Sequence, residues 1–311
     1  MTARSTLLAT ALSLVPLLAA CGGGGGGGGG GSGSADAAGT SGAAASAASG
    51  SFRGDGSPMP SFGGWAWGNV PADAVAKAGF DWFETGYPGD TATNDTLRAA
   101  GVRPFAYINL GELQPDLQAE SGYTGPILRQ NQDWGTGLVD VTNQSWQDWL
   151  VRRADYAWQT GSRGVKWDVA TPDVPPGKTR ADVNGVIALV MWRIRQQHPD
   201  MKFIFNQGFD FALAHPEWVD GVETEGLFSA SSAQNAWCAP WNDPFYWGPQ
   251  FDQAKQVRAR GTPVFDAEYF DPWSQQAGQL YDAIVAQGFV PYITSSSWNV
   301  RGRGLNVSPG W

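Results

Sequence analysis

The sequence predicts an α/β chain folded as a single (β/α)8 TIM barrel, preceded by a lipoprotein signal peptide and a flexible Gly/Ser/Ala linker. Three observations carry this expectation. Gly164-Val165-Lys166-Trp167-Asp168-Val169 reads as a short strand that needs a core on both faces and ends on a carboxylate. The same order of strand, polar residue at its carboxyl end, loop and amphipathic helix recurs along the chain without tight hairpin signals, which means parallel strands. The spacing is near-uniform with no sign of a second domain, which favours a closed barrel over an open doubly wound sheet. In such a barrel the strand exits form one rim, and chemistry is done there.

The N-terminus reads as a targeting segment. Arg4 supplies a positive charge, residues 7–18 form an apolar stretch too short to span a bilayer, and Leu18-Ala19-Ala20-Cys21 resembles a bacterial lipobox, in which the Cys is acylated. Residues 1–20 are therefore expected to be a lipoprotein signal peptide and Cys21 the lipidation site, so that the mature chain is exported and attached to a membrane. Residues 21–59, opening on the glycine run 22–31, have few side chains to bury and read as a flexible tether. Residues 60–311 are the barrel domain, expected to be a monomer.

Within that domain residues 62–67, 80–84 and 102–109 read as the first strands. Between them lie a short helix over 71–78, with Pro71 at its opening turn, and a helix over 90–100 that Gly101 ends. A long loop, 113–136, precedes a short strand at 137–141. Residues 145–160 are a helix on which Trp146, Trp149, Leu150, Ala154, Ala157 and Trp158 recur near the 3.6 period. After the strand at 164–169 come a helix over 182–198, with Val186, Leu189, Val190 and Ile194 as its apolar positions, and strands at 201–205 ending on Asn206 and 219–224 ending on Glu225. A helix over 245–260, a strand at 263–267 ending on Glu268 and Tyr269, a helix over 272–287 and a strand at 289–294 complete the pattern. This gives about nine candidate strands for the eight slots of a barrel. One of them, the first, the last or 137–141, must lie outside the ring.

Composition narrows the chemistry. A formal charge of -9 argues against nucleic acid, which rewards clustered Lys and Arg. The chain has 2 Cys and 2 His; with Cys21 spent on lipid, Cys238 cannot form an internal disulfide, and His198 and His215, near the ends of expected helices, are poorly placed to partner a nucleophilic Cys. No metal-ligand pattern, phosphate loop or nucleophile elbow appears, so no metal and no cofactor are expected. The strand-end polar residues are Glu84, Asn109, Glu112, Asp140, Asp168, Asn206, Glu225 and Glu268. What remains is chemistry that two carboxylates can run, with glycoside hydrolysis foremost: one carboxylic acid protonates the leaving oxygen and the other attacks the anomeric carbon or activates water. The 16 Trp fit this reading, since indole stacks on the apolar faces of sugars. Trp67, Trp237, Trp241, Trp247, Trp273 and Trp298 fall in rim loops. Trp146, Trp149, Trp158 and Trp192 lie on helices and are expected to fill the core.

The order of motifs resembles glycoside hydrolase family 114, the endo-α-1,4-polygalactosaminidase group. Phe105-Ala106-Tyr107-Ile108-Asn109-Leu110-Gly111-Glu112 resembles that family's Cys-Tyr-Phe-Ser-Ala-Gly strand, and Leu138-Val139-Asp140-Val141 its Leu-Asp-Ile strand. Gly164-Val165-Lys166-Trp167-Asp168 is similar to its Gly-Val-Glu-Pro-Asp segment, and Asn206 to its Lys-Asn strand end. Asp220-Gly221-Val222-Glu223-Thr224-Glu225 resembles its strand ending on Glu, and Gly261-Thr262-Pro263-Val264-Phe265-Asp266-Ala267-Glu268-Tyr269 its Gly-Lys-Pro-Val-Phe-x-x-Glu-Tyr. The resemblance implies a (β/α)8 barrel that cleaves α-1,4-linked galactosamine polymers, whose cationic charge suits an acidic protein. It implies Asp168 as nucleophile or stabilising carboxylate and Glu225 as acid/base, and the sequence allows the reverse assignment. Trp67, Tyr107, Asn109, Glu112, Asp140, Asn206, Trp241, Glu268 and Tyr269 are then the expected sugar contacts. Two departures touch the rim. The family's Asp-Asn-x-Asp is replaced by Asp168-Val169-Ala170-Thr171-Pro172-Asp173, and its usual Arg after the position of Glu112 is missing.

Two other readings fit the residues. A non-catalytic carbohydrate-binding lipoprotein would keep the barrel without a working acid pair. A lyase would need a metal cluster or a basic residue at the rim, for which Lys166 is the candidate. A strand-end Asp can also simply cap the next helix or loop, most plainly at Asp140, just ahead of the helix at 145.

Overall fold

The structure is a computed structural model and describes residues 59–64, 70–228, 244–269 and 275–294. Eight parallel strands form one sheet: β1 (Phe62–Gly64), β2 (Trp82–Glu84), β3 (Arg103–Asn109), β7 (Gly164–Asp168), β8 (Lys202–Asn206), β9 (Gly221–Glu225), β10 (Val264–Tyr269) and β11 (Val290–Thr294), hydrogen-bonded in that order. The last strand returns beside the first, where Tyr292 Oη donates to Gly64 O at 2.8 Å and nearly closes the ring. The helices α1 (Ala72–Ala78), α2 (Thr91–Ala99), α4 (Gln144–Gln159), α5 (Arg180–Gln197), α6 (Phe209–Ala214), α7 (Pro244–Ala259) and α8 (Gln275–Ala286) connect the strands, as a (β/α)8 barrel requires.

The ninth candidate strand lies outside the ring. β6 (Thr136–Val139) pairs antiparallel with β4 (Glu112–Leu113) and β5 (Ile127–Asn131) in a separate three-stranded sheet. With the short helix α3 (Gln118–Ser121), this sheet fills the connection between β3 and α4. Most of the expected 113–136 loop is thus ordered into a hairpin. Its base is the buried Glu112 carboxylate, which accepts from Thr136 Oγ1 (2.6 Å) and Asn131 Nδ2 (2.9 Å).

Register shows how the barrel interior is filled. Alternate residues of parallel neighbours face the same side. Phe105 pairs with Gly164, Tyr107 with Lys166, and Asn109 with Asp168; Ile204 pairs with Gly221 and Asn206 with Glu223. Toward the amino ends of the strands the interior is apolar: Phe62, Trp82, Phe105, Ile204, Phe265 and Val290 form one buried cluster. Glycine makes room for these rings. A Cβ on Gly164 would lie 2.3 Å from Phe105 Cε1, and one on Gly221 would lie 2.4 Å from Phe265 Cε2. Toward the carboxyl ends the same face turns polar. The outer face of the sheet packs on the helices, with Val165, Trp167, Phe203, Phe205 and Val222 in the main core.

Helix starts follow local signals. Asp90 caps α2 through Thr93 N, Asn143 caps α4 through Ser145 N, and Thr179 with Asp182 forms a capping box on α5. The helical tryptophans divide. Trp146 and Trp149 are buried and stacked at 4.5 Å, and Trp146 Nε1 donates to Leu110 O at 2.8 Å. Trp158 stacks on His198, and the His198 ring also meets Asp155. Trp192 is 47% exposed, against the expectation of a core position, and so is Leu189 at 45%. The buried stripe of α5 runs instead through Val183, Ile187, Val190, Met191 and Ile194.

Gly164→Ala is expected to cost about 1–3 kcal/mol in chemical denaturation, because the added methyl has no space beside Phe105. Gly185→Ala, exposed on α5 with nothing within 4 Å of its Cβ position, should be neutral or stabilise by up to about 1 kcal/mol. Equal effects at the two sites would contradict the packing described.

Candidate active site

Three neighbouring strands deliver three polar side chains to the carboxyl-end mouth. Asp168 ends β7, Asn206 ends β8 and Glu225 ends β9. Asn206 lies between the two acids, and its Nδ2 donates to Asp168 Oδ1 at 2.8 Å and to Glu225 Oε1 at 2.9 Å. Tyr107 Oη donates to the other oxygen of Asp168. Burial and the Asp168 charge push the Tyr107 phenol well above its ordinary pKa, so it stays a donor. Each of the three residues is followed by left-handed backbone: Val169 at φ 47°, Gln207 at φ 60° and Gly226 at φ 65°. These turns swing the chain off the strand at once and leave the preceding side chain at the rim. Glycine adopts that conformation freely, whereas a β-branched residue such as Val169 is strained there by about 1–3 kcal/mol. Gly111 packs against this turn: a Cβ there would lie 3.0 Å from Val169 O and 2.9 Å from Pro172 Cβ.

Beneath the mouth sits Lys166, two residues before Asp168 on the same face of β7. Its ammonium is 2.6 Å from Glu223 Oε2, 3.1 Å from Glu84 Oε2 and 3.7 Å from Glu225 Oε1. Lys166, Glu84 and Glu223 are buried, while the Glu225 side chain keeps 32% exposure. Burial alone would lower the Lys166 pKa, but the surrounding carboxylates outweigh it and hold the ammonium charged. Burial raises the pKa of both floor carboxyls, that of Glu223 to about 8, with Lys166 opposing the shift. A lysine held in its charged form by carboxylates is a poor general base, which removes the ground for a lyase reading based on Lys166.

The remaining expected contacts divide by geometry. Asn109 is buried beside Asp168 in register, and its Oδ1 accepts from Glu112 N at 3.0 Å, so it braces the turn after β3. Glu112 is occupied with the hairpin, as above. Asp140 Oδ1 accepts from Thr142 N (2.8 Å) and Thr142 Oγ1 (2.6 Å), capping the turn that leads to Asn143 and α4. In β10 it is Ala267 that lies beside Glu225, so Asp266 and Glu268 turn to the outer face. There Glu268 is fully buried, and its Oε1 accepts from Phe228 N at 2.6 Å. Its neighbour Asp266 accepts from Thr224 Oγ1 at 2.6 Å, and burial raises its pKa to about 7. Tyr269 ends β10 opposite Thr294. Trp67, Trp237, Trp241, Trp273 and Trp298, together with Cys21 and Cys238, lie outside the described residues, as does the side chain of Trp247. Glu223 was not among the expected residues. Its signal was the alternation Glu223-Thr224-Glu225, which on a strand puts both glutamates on one face.

The sequence matches the profile of glycoside-hydrolase family GH114 over residues 67–305. The chain belongs to this family. The GH114 barrel is accordingly that of a glycosidase. Solved structures share its fold. The glycoside hydrolase domain of PelA from Pseudomonas aeruginosa is 23% identical with a TM-score of 0.65, covering 77% of this chain and 96% of that one. Ega3 from Aspergillus fumigatus, solved in complex with galactosamine, is 17% identical with a TM-score of 0.57, covering 78% and 93%. The α-galactosidase TtGalA from Thermus thermophilus is 16% identical with a TM-score of 0.53, covering 77% and 59%. No curated protein matches by sequence. Among the described residues no His/Cys/Asp/Glu group could hold a metal ion, and no helix is long and apolar enough to cross a membrane.

The raised carboxylates of this GH114 barrel set a sign for pH and stability. A carboxyl whose folded pKa lies above its unfolded value stabilises below the unfolded pKa, and that contribution is lost as pH rises through the folded pKa. Asp266 and Glu223 therefore predict stability falling between about pH 4 and 8, by at most about 1.4 kcal/mol per pH unit for each proton. Asp266→Asn should flatten part of that decline in urea denaturation, and an unchanged slope would contradict the assignment.

Proposed function

We propose that Asp168 and Glu225 are the catalytic pair of this glycosidase, with Asp168 as nucleophile and Glu225 as acid/base. The observation that carries the proposal is the shared amide of Asn206, hydrogen-bonded to both carboxylates. One nitrogen bonded to both acids puts their near oxygens less than about 6 Å apart, so both carboxyls can reach one glycosidic bond. Asp168 accepts a hydrogen bond on each oxygen, which aims it as a fixed nucleophile should be aimed. Glu225 is partly open to the mouth, as a group that exchanges protons with leaving group and water must be.

The substrate we infer is a galactosamine-containing polysaccharide with α-1,4 linkages. The motif resemblance supports this, and so does the fold shared with Ega3, which was solved with galactosamine. The acidic chain, with a formal charge of -9, favours a cationic amino-sugar polymer. Tyr107 and Asn206 are the described residues best placed to meet the sugar beside the pair. Export, and attachment to a membrane through a lipid on Cys21, belong to the same proposal, supported by the apolar stretch at 7–18 and the lipobox-like Leu18–Cys21 segment.

Digestion of a deacetylated α-1,4-galactosamine polymer is expected to fall about 10²–10⁴-fold or more in Asp168→Asn and Glu225→Gln. NMR of early products should show the α configuration retained. Wild-type product release by either variant would remove the pair, and β products would replace retention with inversion.

A further inference from the structure

The cluster beneath the mouth contains more charge than the cleavage step needs. Lys166 replaces an acidic residue of the resembling family segment, and its ammonium is held from three sides by Glu84 of β2 and by Glu223 and Glu225 of β9. We propose that Lys166 is a positioning residue for the hydrolysis, anchoring the Glu225 carboxylate from below through its ammonium at 3.7 Å. This rests on the reading of Asp168 and Glu225 as the catalytic pair.

The geometry reaches beyond the buried floor. Glu84 at 3.1 Å and Glu223 at 2.6 Å are the buried partners of the ammonium. Lys166 spans the floor and the rim, with Glu225 as its third carboxylate partner. The groups facing the ammonium are Glu84 from β2, Tyr107 from β3 with its ring centroid 5.6 Å away, Asp168 from its own strand, and Glu223 and Glu225 from β9. β8 contributes no titratable group here: Asn206 is an amide, and Lys202 is paired to Asp220. Glu84 and Glu223 hold the ammonium from the floor, and Glu225 meets the same ammonium from the rim.

The test is the pH profile of kcat/KM for Lys166→Met, the double variant Lys166→Met/Glu223→Gln, and Lys166→Arg, each on the galactosamine polymer. The double variant removes one positive and one negative group together, so it retains the fold if the single variant does not. Without the ammonium Glu225 loses the positive neighbour 3.7 Å from its Oε1. The alkaline limb should therefore move up by about one pH unit or more, and kcat should fall at least 10-fold with KM changed less than 3-fold. Lys166→Arg should recover part of kcat. A folded double variant whose profile and kcat match wild type would overturn the proposal. So would a loss confined to KM, or a uniform loss of kcat with neither limb displaced. Glu225→Gln assayed alongside separates the two claims. If it is inactive while the Lys166 variants match wild type, only the positioning role falls. If it turns over normally, the pair and the positioning role fall together.

Discussion

One ammonium inside a ring of carboxylates is the constraint on which the rest of this barrel depends. Opposite charges about 4 Å apart attract by roughly 4 kcal/mol at the effective dielectric of a protein, while desolvating each ion costs several kcal/mol. Lys166 is tolerated because several acids share it, and each of those acids is tolerated because of Lys166. Removing any member leaves an uncompensated charge inside the barrel. The arrangement explains why the interior changes character along its axis. Phe62, Trp82, Phe105 and Phe265 close the amino end and keep water out, and the next layer holds the ions. The mouth above it presents Asp168, Asn206 and Glu225.

The strand ends convert that axial gradient into a site. Val169, Gln207 and Gly226 adopt left-handed backbone directly after the three mouth residues. The chain thereby leaves the sheet abruptly on three adjacent strands, and the side chains before the turns stand together. At Val169 this geometry meets a β-branched side chain where the resembling family has Asn, a residue that tolerates left-handed backbone more easily. The chain thus carries strain beside its proposed nucleophile, where fixed orientation matters more than local stability.

Much of this was legible in the sequence, because barrel strands carry a strong local signature. The buried run of β7 ending on Asp168, the strand ends at Asn206 and Glu225, and the capped helices all came from patterns a few residues long. What escaped depended on long-range register. Residues 137–141 look like a barrel strand because β6 is also buried on both faces, and only its pairing with β4 and β5 sets it apart. Glu268 sits at a strand end like Glu225, yet one residue of register decides which face a side chain takes. Asp140 carried both its readings in the sequence, and the hydrogen bonds to Thr142 show the capping one at work. Trp192 and Leu189 fit an apolar stripe by spacing alone, but α5 is rotated so that Val183, Ile187 and Val190 face the core.

The central claim is that Asp168 and Glu225 act on one glycosidic bond, Glu225 protonating the leaving oxygen and Asp168 attacking the anomeric carbon to form a covalent bond to the sugar. Trapping tests it most directly: incubation with an activated fluorinated galactosamine glycoside, followed by peptide mapping by mass spectrometry. The account predicts a stoichiometric adduct on the peptide carrying Asp168, formed more slowly in Glu225→Gln with a poor leaving group and restored with a good one. An adduct on any other carboxylate would contradict it.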